Sequence, residues 1–93
     1  LKVFFVGGPN SRLDYHLEEG DEIFFQIKGH MVLKVIEHGI HKDIRICEGE
    51  LFLLPAYVEH SPQRFEDSLG CVVERDRNDN EFDCVRLFLK YFT

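Results

Sequence analysis

The sequence predicts an all-β domain closed into a barrel. Short apolar runs alternate with turn signals at close, fairly regular intervals, and several of those runs are apolar on both faces. Ninety-three residues, 44% of them hydrophobic and 13% aromatic, supply one core and leave no room for a second, so residues 1–93 read as a single domain. A sheet with one wet face does not fit Ile23-Phe24-Phe25 or Leu51-Phe52-Leu53-Leu54. Both faces need cover, and a filled barrel whose outer wall packs on another segment or subunit provides it.

The strand candidates follow in order. Leu1–Val6 ends at Gly7-Gly8-Pro9-Asn10, and Asn10-Ser11-Arg12 continues as a polar turn. After Glu19-Gly20-Asp21 comes Glu22–Lys28, where alternation sets Glu22, Phe24 and Gln26 on one face and Ile23, Phe25 and Ile27 on the other. Gly29-His30 leads into Met31–Glu37, and His38-Gly39 marks a hairpin with His38 and His41 exposed. Asp43–Cys47, the turn Glu48-Gly49-Glu50, and Leu51–Leu54 come next, and Pro55 and Pro62 stiffen the backbone around His60. Leu69–Arg75 and Val85–Phe92 complete the set, with one opening for a helix near Asn80–Val85.

Charge and cysteine usage narrow the partners. Eleven Lys and Arg face 17 Asp and Glu, a formal charge of −6, which removes the general attraction to phosphate that nucleic acids and anionic membranes require. No apolar run approaches the roughly 20 residues of a spanning helix, and no signal-peptide pattern is present, so the expected setting is cytoplasmic. Cys47, Cys71 and Cys84 form no CxxC pair and have no adjacent base, which fits free thiols in a reducing compartment. The chain opens on Leu1 and ends in an apolar stretch, so it is expected to be part of a longer polypeptide.

The residues that stand out chemically are His16, Glu22 and His60. Two imidazoles and one carboxylate on one face of an octahedral metal leave three adjacent positions open, as in non-haem Fe(II) enzymes that activate O₂. From spacing alone the plainer reading is favoured: His16 and His60 as turn residues, Glu22 as a solvated strand end. Alternation weighs against it, because a Glu22 that shares the inward face with Phe24 needs a bound partner.

Residues Gly8 to Gly29 resemble the first cupin motif, with Gly8, five residues, Asp14-Tyr15-His16, then Glu22, six residues and Gly29. Residues Gly49 to Arg64 resemble the second, with Gly49, Pro55 and His60 in register. Asp14 stands where the motif has its first His, Tyr57 where it has Gly, and Arg64 where it has Asn. A two-His, one-carboxylate cupin is a narrower class. Within it, Gly7-Gly8-Pro9-Asn10, Phe52-Leu53-Leu54-Pro55-Ala56, His60-Ser61-Pro62-Gln63-Arg64 and Val72-Val73-Glu74-Arg75 resemble the 3-hydroxyanthranilate 3,4-dioxygenase family, from about Val3 to Arg75.

The resemblance implies a cupin fold, a double-stranded β-helix or jelly-roll barrel, with Fe(II) held by His16, Glu22 and His60. It implies that Arg64 pairs with a substrate carboxylate through a planar two-bond fork. Arg12 would lie beside the iron and substrate, and Glu74 would accept a proton from the ring substituents. Without the resemblance, Arg12 is a solvated turn residue and Arg64 a surface neighbour of Glu66 and Asp67. Alternation puts either Glu74 or Arg75 inward without choosing between them.

The implied reaction takes 3-hydroxyanthranilate and O₂ to 2-amino-3-carboxymuconate semialdehyde, which cyclises to quinolinate on the way to NAD. The implied packing partner is a second cupin half or an identical subunit. Two other classes stay open: a non-catalytic cupin that binds a small ligand, and another iron cupin dioxygenase. The full set of His16, Glu22, His60, Arg12, Arg64 and Glu74 weighs against a degenerate module.

Overall fold

Alternating burial along the apolar runs turns one side of each strand inward and packs two sheets face to face. The computed structural model describes residues 1–18 and 20–75 together with the backbone of 84–87. Its strands are β1 (Lys2–Gly7), β2 (Asp14–Leu17), β3 (Glu22–Lys28), β4 (Met31–Glu37), β5 (Ile40–Ile46), β6 (Leu51–Leu54), β7 (Glu59–Arg64), β8 (Leu69–Glu74) and β9 (Cys84–Leu87). One sheet runs β1-β8-β3-β6 and the other β5-β4-β7-β2-β9, with every pairing antiparallel. Among the described residues there is no helix.

The core lies between the sheets. Phe24 of β3, Leu54 of β6 and Val72 of β8 meet Met31, Leu33 and Val35 of β4 and Ile46 of β5. The expected faces of β3 are observed: Glu22, Phe24 and Gln26 are buried, while Phe25 and Ile27 are exposed. The outer face of the first sheet also exposes Val3, Phe5, Leu51 and Leu53.

The expected strands recur with small shifts in their ends, and β3, β4 and β6 match residue for residue. The β4–β5 hairpin closes on His38-Gly39, both at positive φ, the backbone of a tight two-residue turn whose twist matches that of its strands. It starts β5 at Ile40, three residues before the expected Asp43. The helix opening near Asn80–Val85 is corrected in part: Cys84 and Val85 lie in β9, paired with Leu17 and His16, while 80–83 fall outside the described residues. Of the expected strand Val85–Phe92, residues 85–87 lie in β9 and 88–92 are outside the described residues.

Two strands were not expected, β2 and β7. Polar side chains point inward along both, so hydrophobic alternation fails there, and β7 contains a proline. Arg64 N and O both bond Asn10, so by alternation Pro62 also faces the β2 side. There β7 pairs only at His16–His60 and through the Asn10–Arg64 bridge, and the missing N–H of Pro62 costs the ladder nothing.

Candidate metal and ligand cleft

The unexpected strands carry the two histidines. His16 on β2 is the register partner of His60 on β7, and their rings lie 6.1 Å apart. Glu22, the first residue of β3, reaches the same place from the opposite sheet and is only 4% exposed. The rings of Phe24 and His60 meet in a T-shaped contact with centroids 6.2 Å apart. The three residues singled out in the sequence therefore line one cleft of about 240 Å³, and so do Arg12, Arg64 and Glu74.

His60 and Glu22 form the centre of the cleft. The Nδ1 of His60 lies 3.0 Å from the carbonyl oxygen of Val58, and a carbonyl can only accept, so Nδ1 carries the proton. In neutral imidazole this leaves a lone pair on Nε2, which faces Glu22 Oε1 at 2.9 Å. That oxygen is buried and without a hydrogen bond. Two lone pairs held this close require a proton or a cation between them. Burial alone would lower the pKa of His60, but contact with Glu22 and the Val58 carbonyl outweigh it and raise the pKa. The Glu22 carboxyl is carried below its ordinary range by His60 despite its burial.

Glu18 joins the pair: one ligand atom each from Glu18, Glu22 and His60 lie within 4.8 Å of one another. Sequence reasoning passed over Glu18, although alternation from His16 puts Asp14, His16 and Glu18 on one side of the chain. His16 is placed in the cleft with its ring nitrogen already engaged. Arg12 Nη2 contacts His16 Nε2, and Asp14 Oδ2 lies 3.2 Å from the same nitrogen. Arg12 Nε donates to Asp14 Oδ1 at 2.9 Å and holds the Asp14 carboxyl down at about 2. The solvated-turn reading of Arg12 fails here, because Gln63 also ties down its backbone: Arg12 N donates to Gln63 Oε1 and Gln63 Nε2 donates to Arg12 O.

Arg64 is the other departure from a surface reading. It is 5% exposed, its Nη1 is buried with no hydrogen-bond partner among the described residues, and burial pulls its pKa below the usual guanidinium value with no charged partner among those residues acting on it. A desolvated cation facing a cleft without a counter-charge is a receptor for an anion. The choice between Glu74 and Arg75 is also decided: Glu74 lines the cleft, whereas Arg75 is exposed, and a β-carbon on Gly20 would lie 3.1 Å from its Nε. Phe24, Pro62 and Val72 add apolar walls that the sequence reading had not assigned to the site. Tyr57, at the motif's glycine position, takes the left-handed backbone that glycine favours, with φ 64°. His30 is set apart, its ring tilted against that of Phe65 with centroids 4.8 Å apart, and His38 and His41 are exposed as expected.

An all-β barrel of two packed antiparallel sheets, with a carboxylate–imidazole cluster inside, defines a cupin. Oxalate decarboxylase from Bacillus subtilis at pH 4.6 superposes with TM-score 0.62 at 20% identity, over 81% of this chain and 20% of that one. FeII HppE gives 0.60 at 17% identity, over 78% and 40%. The family model for 3-hydroxyanthranilic acid dioxygenase matches residues 1–92, and the chain belongs to that family. Proteins named 3-hydroxyanthranilate 3,4-dioxygenase are similar throughout: that of Caenorhabditis elegans is 66% identical over 96% of this chain and 32% of its own length. The Homo sapiens protein is 57% identical over 96% and 31%. The chain thus spans about a third of the length of the relatives it matches. No helix among the described residues is long and apolar enough to cross a membrane.

Proposed function

We propose that this chain forms the catalytic cleft of a ring-cleaving dioxygenase that uses non-haem Fe(II) and O₂ to convert 3-hydroxyanthranilate to 2-amino-3-carboxymuconate semialdehyde, on the route through quinolinate to NAD. The observation that carries the reading is the pairing, in one cleft, of a buried cation lacking a counter-charge among the described residues with a buried carboxylate and imidazole whose ligand atoms lie 2.9 Å apart. The first suits a carboxylate on the ligand; the second suits a metal.

His16, Glu22 and His60 are the proposed iron ligands, with the Val58 carbonyl fixing the ring of His60. His16 takes that role once Arg12 leaves its Nε2, and Arg12 stays beside the reacting groups. Bound iron would supply the electron path by which triplet O₂ meets a singlet aromatic ring. Arg64 holds the substrate carboxylate through two parallel hydrogen bonds and so fixes how the ring enters. Phe24, Pro62 and Val72 keep water from the ring. Glu74 accepts the proton from the ring hydroxyl, a task for a carboxylate that lines the cleft without being fully buried.

The exposed apolar face built by Val3, Phe5, Phe25, Leu51 and Leu53 is assigned to packing against a second cupin half or an identical subunit. Free Cys47 and Cys71 fit a cytoplasmic, reducing setting.

The test is anaerobic loading of the full-length protein with Fe(II), followed by 3-hydroxyanthranilate and air. Near-ultraviolet absorbance of the semialdehyde should rise and then decay, and Glu74→Gln should keep the iron while slowing that rise. A loaded protein that leaves the ring intact overturns the proposal.

A further inference from the structure

Gln26 is a polar residue in an apolar strand, 1% exposed, on the inward face of β3 beyond Phe24. Its Nε2 donates to the carbonyl oxygen of Lys28 at 3.0 Å, which identifies the other amide atom as the oxygen and fixes where it points. That atom, Oε1, is buried and accepts no hydrogen bond. Arg64 Nη1 arrives at the same spot from the opposite sheet, also buried and also without a partner among the described residues. A β-carbon on Gly70 would lie 2.2 Å from Arg64 Nη1 and 3.0 Å from Gln26 Oε1. The space a side chain would take at position 70 is thus filled by the tip of the guanidinium, with an amide oxygen beside it.

An acceptor without a donor and a charged donor without an acceptor, sharing one small volume, are complementary. The two atoms adjoin without bonding each other in this structure. We propose that Gln26 and Gly70 form a seat for Arg64, in which the missing side chain of Gly70 makes the room and a small shift of the guanidinium on ligand binding lets Gln26 Oε1 accept from Nη1. With Nη1 committed to the seat, the guanidinium presents its Nε and Nη2 edge to the cleft, the edge that receives a carboxylate in two parallel bonds. Both are positioning residues: they set the depth and plane at which a ligand carboxylate docks. The inference rests on the reading of Arg64 as the carboxylate receptor.

The experiment uses the full-length, iron-loaded protein with 3-hydroxyanthranilate as the probe. Gln26→Leu and Gly70→Ala are each made alone and on top of Arg64→Ala, with KM, kcat, iron content and melting temperature measured for all. Each single variant should raise KM by about tenfold or more, the worth of a hydrogen bond to a charged group. Iron content should hold, kcat should change far less than KM, and neither substitution should raise KM further once Arg64 is alanine. An equal rise in KM with Arg64 present or absent would mean that Gln26 and Gly70 act on the fold alone, and the seat is overturned. If Arg64→Ala raises KM while both single variants leave it unchanged, the seat is wrong and Arg64 remains the receptor. If Arg64→Ala itself leaves KM unchanged, the receptor reading fails first. Should either variant not fold, arginine-¹⁵N spectra of the wild-type protein with 3-hydroxyanthranilate bound decide: the seat requires resolved, slowly rotating Nη protons on Arg64, and averaged ones overturn it.

Discussion

Replacing Arg64 with alanine should cost ligand affinity and cost the fold little or nothing, a separation that follows from how the side chain is buried. It is 5% exposed, and no charged group among the described residues offsets its desolvation. The effective penalty for an unpaired buried ion is several kcal/mol. Removing it relieves that penalty while losing the packing of two methylenes, Cγ and Cδ, roughly 1.6 kcal/mol at ~0.8 each. The net change in stability should fall between about zero and 2 kcal/mol in favour of the variant. The strand stays anchored, because the Arg64–Asn10 bonds are made by backbone atoms at 2.8 Å. Binding of a carboxylate ligand should instead lose about 2–5 kcal/mol, some 30-fold to several thousand-fold. Urea unfolding measures the first quantity. Calorimetric titration with 3-hydroxyanthranilate and with 2-aminophenol, which lacks the carboxylate, measures the second. The variant should lose the wild-type preference for the carboxylated compound. A variant clearly less stable than wild type that keeps this preference would show that the cation serves the fold, and the reasoning would fail.

Glu22→Gln should retain a folded apoprotein, because the new amide can donate to the lone pair on His60 Nε2, yet iron affinity measured by chelator competition should fall more than the 10–100-fold typical of outer partners. Undiminished affinity would remove Glu22 from the metal. Asp14 titrates at about 2 beside Arg12 against an ordinary 3.8. A depressed carboxyl stabilises the fold above pH 3.8, and that contribution is lost as pH falls toward 2, so melting temperatures of wild type and Arg12→Ala should converge across that window. A constant gap would assign the effect of Arg12 to packing. Leu33→Ala, at a position with no exposed surface, should cost about 2–5 kcal/mol in urea unfolding, and a loss below about 1 would contradict the tight core.

Alternation in β3 placed Glu22, Phe24 and Gln26 inward from the amino-acid pattern alone, and the spacing of Gly8, His16, Glu22, Gly49, Pro55 and His60 marked the cupin motifs. These features were legible because each depends on local periodicity or on turn chemistry that a few neighbouring residues set. The strands β2 and β7 were not legible. A segment that lines a cleft turns polar groups inward, so the rule that reads apolar residues as buried hides the very strands that carry His16, His60 and Arg64. Nor could pattern decide whether Glu74 or Arg75 faces in, that Glu18 comes within ligand distance of His60, or that Arg64 stays without a counter-charge. Those facts depend on pairing between residues distant in the chain and on the burial that two packed sheets impose, and both exist only once the barrel has closed.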